Sequence, residues 1–195
     1  MELSAKNFYN VFTKRINANE LMEERLKMYK ENEPEWTIYI TKLLSKIVTE
    51  DFGLEVQQEK FRVDVIGYKP RYLEIKDESS KYSLKPHLWE LKMAIEHENN
   101  KKDWTDEVIK LAQLRSDLKV VIGYNNYNLR DEDEKNLNFV ADCLNKLQCF
   151  RESRDEFLII LGNGINTKSK KSDYPDFGYC GYLYNQDIMC FNRLV

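Results

Sequence analysis

Apolar and polar positions along the chain recur in two periods, and the switches between them mark out the elements. Residues 4–31 carry Met22, Leu26 and Tyr29 at helical spacing beside a dense charged face. That predicts helix, in two pieces broken near Asn17 to Asn19. Glu33-Pro34-Glu35-Trp36 opens the next helix, since proline suits a first turn and early glutamates suit the positive end of the helix dipole. Its apolar stripe is Trp36, Ile40, Leu43, Leu44 and Ile47. From Leu54 to Tyr68 the period drops to two, so one or two strands are expected, with Arg71 to Lys76 prolonging the second. Asp77 to Pro86 is polar and reads as a turn or loop.

Leu88 to Asn99 alternates again and predicts a long strand. Asp103 is placed to cap a helix reaching about Ser116, with Trp104, Val108, Leu111, Ala112 and Arg115 facing inward. Leu118 to Tyr124 is a short run rich in β-branched residues, the mark of a central strand. A polar loop to Asp133, a helix from Leu137 to Phe150 and a strand from Glu156 to Leu161 follow. After a loop from Gly162 to Asp176, strands are expected at Phe177 to Tyr184 and Ile188 to Phe191. The order predicts an α/β fold, a mixed β-sheet flanked by helices, in one domain spanning 1–195. Within it, 1–32 reads as an N-terminal helical arm, 33–125 as the core, and 126–195 as the helix and strands that complete the sheet. The arm has two readings, packing on the core or a homodimer contact.

Composition narrows the function classes. The chain has 195 residues, 42% hydrophobic and 32% charged, enough for a globular domain with a core. Its net charge is -3, with 30 Lys and Arg against 33 Asp and Glu. There is no global basic field, so a nucleic-acid partner needs a local basic patch or a metal to offset the carboxylates. No apolar run approaches the roughly 18 residues of a membrane span. Cys143, Cys149, Cys180 and Cys190 lack zinc-knuckle spacing, and no export signal precedes them. Free thiols in a cytoplasmic protein are therefore expected. Glycine-rich phosphate loops are absent, and His87 and His97, the only histidines, match no nucleophile elbow.

The chemistry is concentrated in two strands. Glu90, Lys92, Glu96 and Glu98 share one parity and so one strand face, and Asp64 stands between valines in the run Phe61 to Tyr68. Ionisable groups on a buriable strand are costly unless paired or bound to a cation. Carboxylates gathered at oxygen-ligand distance repel one another, which a divalent ion relieves. A plainer reading also fits: alternating Glu and Lys can be a solvated strand face or protection of an edge. His97 has core parity and reads as an interior histidine.

With its acids in this order, the segment from Glu35 to Tyr124 resembles the PD-(D/E)xK nuclease superfamily. That family's core is a helix, an antiparallel strand set, a helix and a further strand. Its metal site is an Asp on one strand and Glu-x-Lys on the next. The resemblance implies a restriction-endonuclease-like core, Mg²⁺ or Mn²⁺ as cofactor, DNA as partner and phosphodiester hydrolysis as the reaction. Asp64 matches the aspartate. Glu90-Leu91-Lys92 is the literal Glu-x-Lys, and Glu96-His97-Glu98 is the Glu-x-Glu variant used by some restriction-type members. Register favours the second: placing Asp64 opposite Glu98 sets Tyr68 against Ala94 and Tyr72 against Glu90, and leaves Arg71 to Lys76 as continuing strand. Metal ligands are then Asp64, Glu96 and Glu98.

In some members the lysine moves to the following helix, where Lys110 is the candidate; otherwise it is a surface partner of Asp106 or Glu107. Glu35 is either a carboxylate leaning over the strands or a glutamate serving its own helix dipole. The other function class is a nuclease-like scaffold that has lost its chemistry and serves as a binding or assembly module.

Overall fold

The computed structural model describes residues 1–18, 22–71, 74, 81, 89–100, 103–125, 130–151, 153–163 and 178–194. Among these, seven strands form one mixed sheet whose spatial order is the chain order. They are β1 (Glu55–Lys60), β2 (Val63–Pro70), β3 (Trp89–His97), β4 (Leu118–Asn125), β5 (Glu156–Asn163), β6 (Cys180–Asn185) and β7 (Cys190–Arg193). β1, β2 and β3 form an antiparallel meander, β3, β4 and β5 run parallel, and β6 and β7 return antiparallel.

Parallel neighbours need a crossover connection. Helix α4 (Trp104–Ala112) lies between β3 and β4; α5 (Arg130–Lys146) and the single turn α6 (Gln148–Arg151) lie between β4 and β5. Trp104, Val108, Val140 and Leu144 from these helices share one apolar cluster with Ile66, Ala94, Val121 and Ile159, so both crossovers cover the same sheet face. Helices α1 (Ala5–Ile16), α2 (Met22–Glu31) and α3 (Glu33–Lys46), with a π-helical turn at Ile47–Asp51, build the cluster on the other face. This is the mixed α/β arrangement that the alternating pattern predicts. β4, enclosed on both faces, is buried from Leu118 to Tyr124, which is why its sequence is apolar but for Lys119, whose ammonium pairs with Asp155.

Local signals set the helix starts. Ser4 caps α1, its Oγ accepting the Asn7 N–H (3.3 Å). Asn32 caps α3 by accepting the Glu35 N–H (3.3 Å), with Pro34 in the first turn. Trp36, Ile40, Leu43, Leu44 and Ile47 are all buried, as their spacing requires.

Several expectations are corrected. The first helix is more than an arm: Ala5, Phe8, Phe12 and Ile16 are fully buried, so it packs on the core as one of its two readings has it. Phe61 and Arg62 are the hairpin turn between β1 and β2 and not part of a strand. β2 stops at Pro70, and the Glu74 N–H bonds the Arg71 carbonyl (3.1 Å) in a turn; the rest of the expected extension to Lys76 lies outside the described residues. Tyr72 lies outside the described residues. α4 ends at Ala112, leaving Arg115 exposed beyond it, and Asp103 makes no side-chain cap bond. Ile188 and Met189 form the turn before β7.

The register is also shifted. Val65 pairs with Ile95, which sets Asp64 opposite Glu96 and not Glu98. Between Gly67 and Tyr68 a bulge leaves Lys92 as the extra residue, so Tyr68 pairs with Leu91 and Lys69 with Glu90. The shift at Asp64 is by two residues, so Asp64 keeps the face expected of it. The bulge breaks the alternation, and the four ionisable residues of β3 do not form one row.

All four cysteines are free thiols. No described helix is long and apolar enough to cross a membrane. If α1 is integral to the core, Phe12→Ala should lower the unfolding free energy by about 3 to 5 kcal/mol in a urea titration. A dispensable arm would lose only a fraction of that.

Candidate functional site

The C-terminal half of β3 runs into the interior, with Met93 through His97 all buried. Asp64 enters from β2 beside Glu96, on the face covered by α4. The His97 peptide N–H donates to Asp64 Oδ2 (2.8 Å), fixing that carboxylate against the neighbouring strand. The Asp64 and Glu96 carboxyl groups lie within hydrogen-bonding reach of each other.

Helix α4 brings the cation. Lys110 Nζ lies 2.7 Å from Glu96 Oε1, pairs with Glu107 one turn earlier, and donates to the Arg62 carbonyl (2.9 Å). What lets the helix sit so close is Gly123 on β4. A Cβ there would stand 2.8 Å from the Trp104 Cβ, so the first turn of α4 settles only against glycine. Lys110 thus serves both readings at once, as an i,i+3 partner of Glu107 and as a cation on the strand acid.

Glu96 is only 3% exposed. Its Oε1 faces the Lys110 ammonium. Burial pushes its pKa to about 8; Lys110 opposes this, while Asp64 and Glu107 add to it by repulsion. Burial also raises Asp64, partly offset by the His97 N–H, and Glu59 raises it further. Glu98, half-buried at the strand end, is raised by burial, opposed by a bond from the Asn100 N–H (2.6 Å), with Glu107, Asp103 and Asp64 repelling it. Burial works against the charge of Lys110, but its bonds to Glu107 and Glu96 outweigh that and hold its pKa above the ordinary lysine value. The neighbourhood is a crowd of carboxylates around one ammonium.

Three side chains placed as a ready set of metal ligands are not found among the described residues. Lys110 occupies the approach to Glu96, and Glu98 is turned onto Asn100. The expected trio is therefore a close pair, Asp64 and Glu96, with Glu98 set aside. Glu35 is exposed in the first turn of α3. The bond given for it is its own backbone N–H to Asn32, which is the helix-end role and not a place over the strands.

The literal Glu-x-Lys forms a different kind of cluster. Lys92 Nζ pairs with Glu90 (2.5 Å) and Asp117 (2.9 Å), and Arg71 bridges Glu90 and Glu74. Glu90 is held below its usual pKa by Lys92 and Arg71. These charges are mutually neutralised near the surface and ask for no further cation.

His97 is interior, as its parity suggests. Its Nε2 bonds the Tyr124 hydroxyl (2.9 Å), which also takes the Trp36 Nε1–H (2.8 Å) and meets the Tyr179 hydroxyl (2.9 Å). Burial drives the His97 pKa down to about 3, so the ring is neutral. Its Nδ1 is buried without a hydrogen bond, so the histidine is half satisfied. Sequence reasoning found Glu107 as a partner of Lys110 through its i,i+3 spacing, but missed Glu59 and Asp103 as parts of the electrostatic setting.

No family model, no curated protein and no solved structure matches this chain.

Glu96 makes stability depend on pH with a definite sign. A free glutamate loses its proton near 4.5, whereas folded Glu96 keeps it to about 8. Between these values the folded chain holds the extra proton, so the stability from Glu96 is full below the lower value and is lost as pH rises through the upper one. Urea midpoints taken near pH 5 and near pH 9 should show the native chain losing ~1 kcal/mol or more relative to Glu96→Gln, which has no proton to release. Parallel losses in the two chains would contradict the assignment.

Proposed function

We propose that this chain is a divalent-metal-dependent nuclease of the PD-(D/E)xK type that hydrolyses phosphodiester bonds in DNA. The observation that carries the reading is the Asp64–Glu96 pair: two adjoining carboxyls at a strand end, one nearly inaccessible, each raised in pKa by burial. A second support is the element order α3, β1, β2, β3, α4, β4, with β4 parallel to β3. That is helix, antiparallel strand set, helix and further strand, the order of that superfamily's restriction-endonuclease-like core.

The donor set fits a hard cation. Repelling oxygens whose pKa values are raised by burial and by each other gain from Mg²⁺ or Mn²⁺, which prefers few carboxylates and keeps water. Asp64 and Glu96 would hold it, with Glu59 and Glu107 as the carboxylates that press on the pair. When bound, the ion would supply a polarised phosphate and a more acidic water.

The chain's own groups divide the remaining work. The His97 N–H fixes the orientation of Asp64. Lys110, kept charged, stabilises negative charge and holds no lone pair to act as a base. Glu98, with one oxygen on Asn100 and a raised pKa, is the carboxylate suited to accept a proton from water.

One observation favours the second reading, a scaffold without chemistry: no three-ligand set is formed among the described residues. Calorimetric titration with Mn²⁺ and a plasmid-nicking assay separate the two. The native chain should bind Mn²⁺ and nick plasmid. Asp64→Asn and Glu96→Gln should lose both while still melting cooperatively, and Glu90→Gln should keep both. Normal cleavage by the Asp64 and Glu96 variants would remove the site; no Mn²⁺ binding by the native chain would leave the scaffold reading.

A further inference from the structure

The hairpin tip between β1 and β2 is built in a way that folding does not require. Glu59, Phe61 and Arg62 adopt φ values of 53°, 57° and 61°, the left-handed region that glycine or asparagine normally fills. Phe61 nevertheless places a large apolar ring there, and it is 56% exposed. The ring stacks on Trp89, with centroids 5.7 Å apart and planes 27° from parallel. Trp89 also leans on Tyr68 (5.2 Å), so the exposed ring has a fixed aromatic backing. The Lys60 ammonium lies 5.4 Å from the Phe61 ring centre, and Arg62 beside it is exposed.

This tip is fastened to the candidate site. Lys110 holds the Arg62 carbonyl and the Glu96 carboxylate with the same ammonium. Asp64 follows Arg62 by two residues. The exposed aromatic and its two flanking cations thus stand on a turn whose backbone is held by the lysine that also holds Glu96. Cations next to an aromatic face are the combination that grips single-stranded nucleic acid, where the base stacks and the phosphate is neutralised. In a duplex the base faces are already stacked on their neighbours and have none to offer.

We infer that Phe61, backed by Trp89 and flanked by Lys60 and Arg62, is a stacking platform for an unpaired nucleobase adjoining the phosphate addressed by Asp64 and Glu96. The preferred substrate is thus nucleic acid with a single-stranded stretch at the cleavage point. The inference rests on the nuclease reading for the phosphate, but the platform itself needs no metal and is tested without one.

The test uses intrinsic fluorescence. Trp36 and Trp104 are buried at 0% and 1% exposure, so quenching by an added oligonucleotide reports chiefly on Trp89. In metal-free buffer at mildly acidic pH, a single-stranded oligonucleotide should quench the native chain and bind about tenfold more tightly than the blunt duplex of the same sequence. Phe61→Asn, which suits the left-handed turn and should fold at least as well, should lose about tenfold in single-strand affinity and little for duplex. Phe61→Tyr should bind like the native chain.

Equal affinity for the two forms, an unchanged Phe61→Asn, or no binding by the native chain would each overturn the platform. Mn²⁺ titration of the same samples keeps the two ideas apart. A chain that prefers single strands through Phe61 yet neither binds Mn²⁺ nor cleaves would retain the platform and lose the nuclease.

Discussion

Strand β3 is the constraint from which most of the rest follows. Its C-terminal half is enclosed on both faces, and it carries Glu96 and His97 into that enclosure. Neither side chain can keep its charge there at ordinary cost. The histidine yields by staying neutral. The glutamate yields by holding its proton to about pH 8 and by drawing Lys110 across from α4. The positions of α4, of Gly123 beneath it and of the β1–β2 tip above it are all tied to that carboxylate.

His97 joins the two faces of the sheet. Its ring reaches the hydroxyl of Tyr124, where Trp36 and Tyr179 also converge, so α3, β3 and β4 meet at one buried polar point. Its peptide N–H, across the strand ladder, holds Asp64. A buried network of this kind is worth more in position than in net stability, because every member left unpaired costs desolvation. The residue that orients the site acid is thereby anchored in the opposite hydrophobic core.

The two acid clusters of β3 show how environment separates identical residue types. Glu90 lies near the surface between Lys92 and Arg71, where charges cancel and its pKa falls. Glu96, six residues on, is buried among other carboxylates and its pKa rises. An uncompensated acid is what a cation relieves; a compensated one is not. That contrast, and not the spelling of a Glu-x-Lys motif, is what directs attention to the second cluster.

Periodicity alone determined the class and the element order. The stripe of α3, the β-branched run of β4, the parity of Asp64 and the interior place of His97 all follow from which residues must leave water, a property local to a few turns or one strand. Other features depended on partners distant in the chain. The charged residues of 4–31 concealed that α1 is core, because its stripe is legible only against β5 and the π-turn that it covers. Register was displaced by two residues at Asp64 and by one more at a bulge on Lys92, and neither can be read from one strand's own sequence. The meeting of Asp64, Glu96 and Lys110, and the exclusion of Glu98 and Glu35 from it, was decided by the tertiary structure, since it depends on how closely α4 approaches the sheet, and that distance is set by a glycine on another strand.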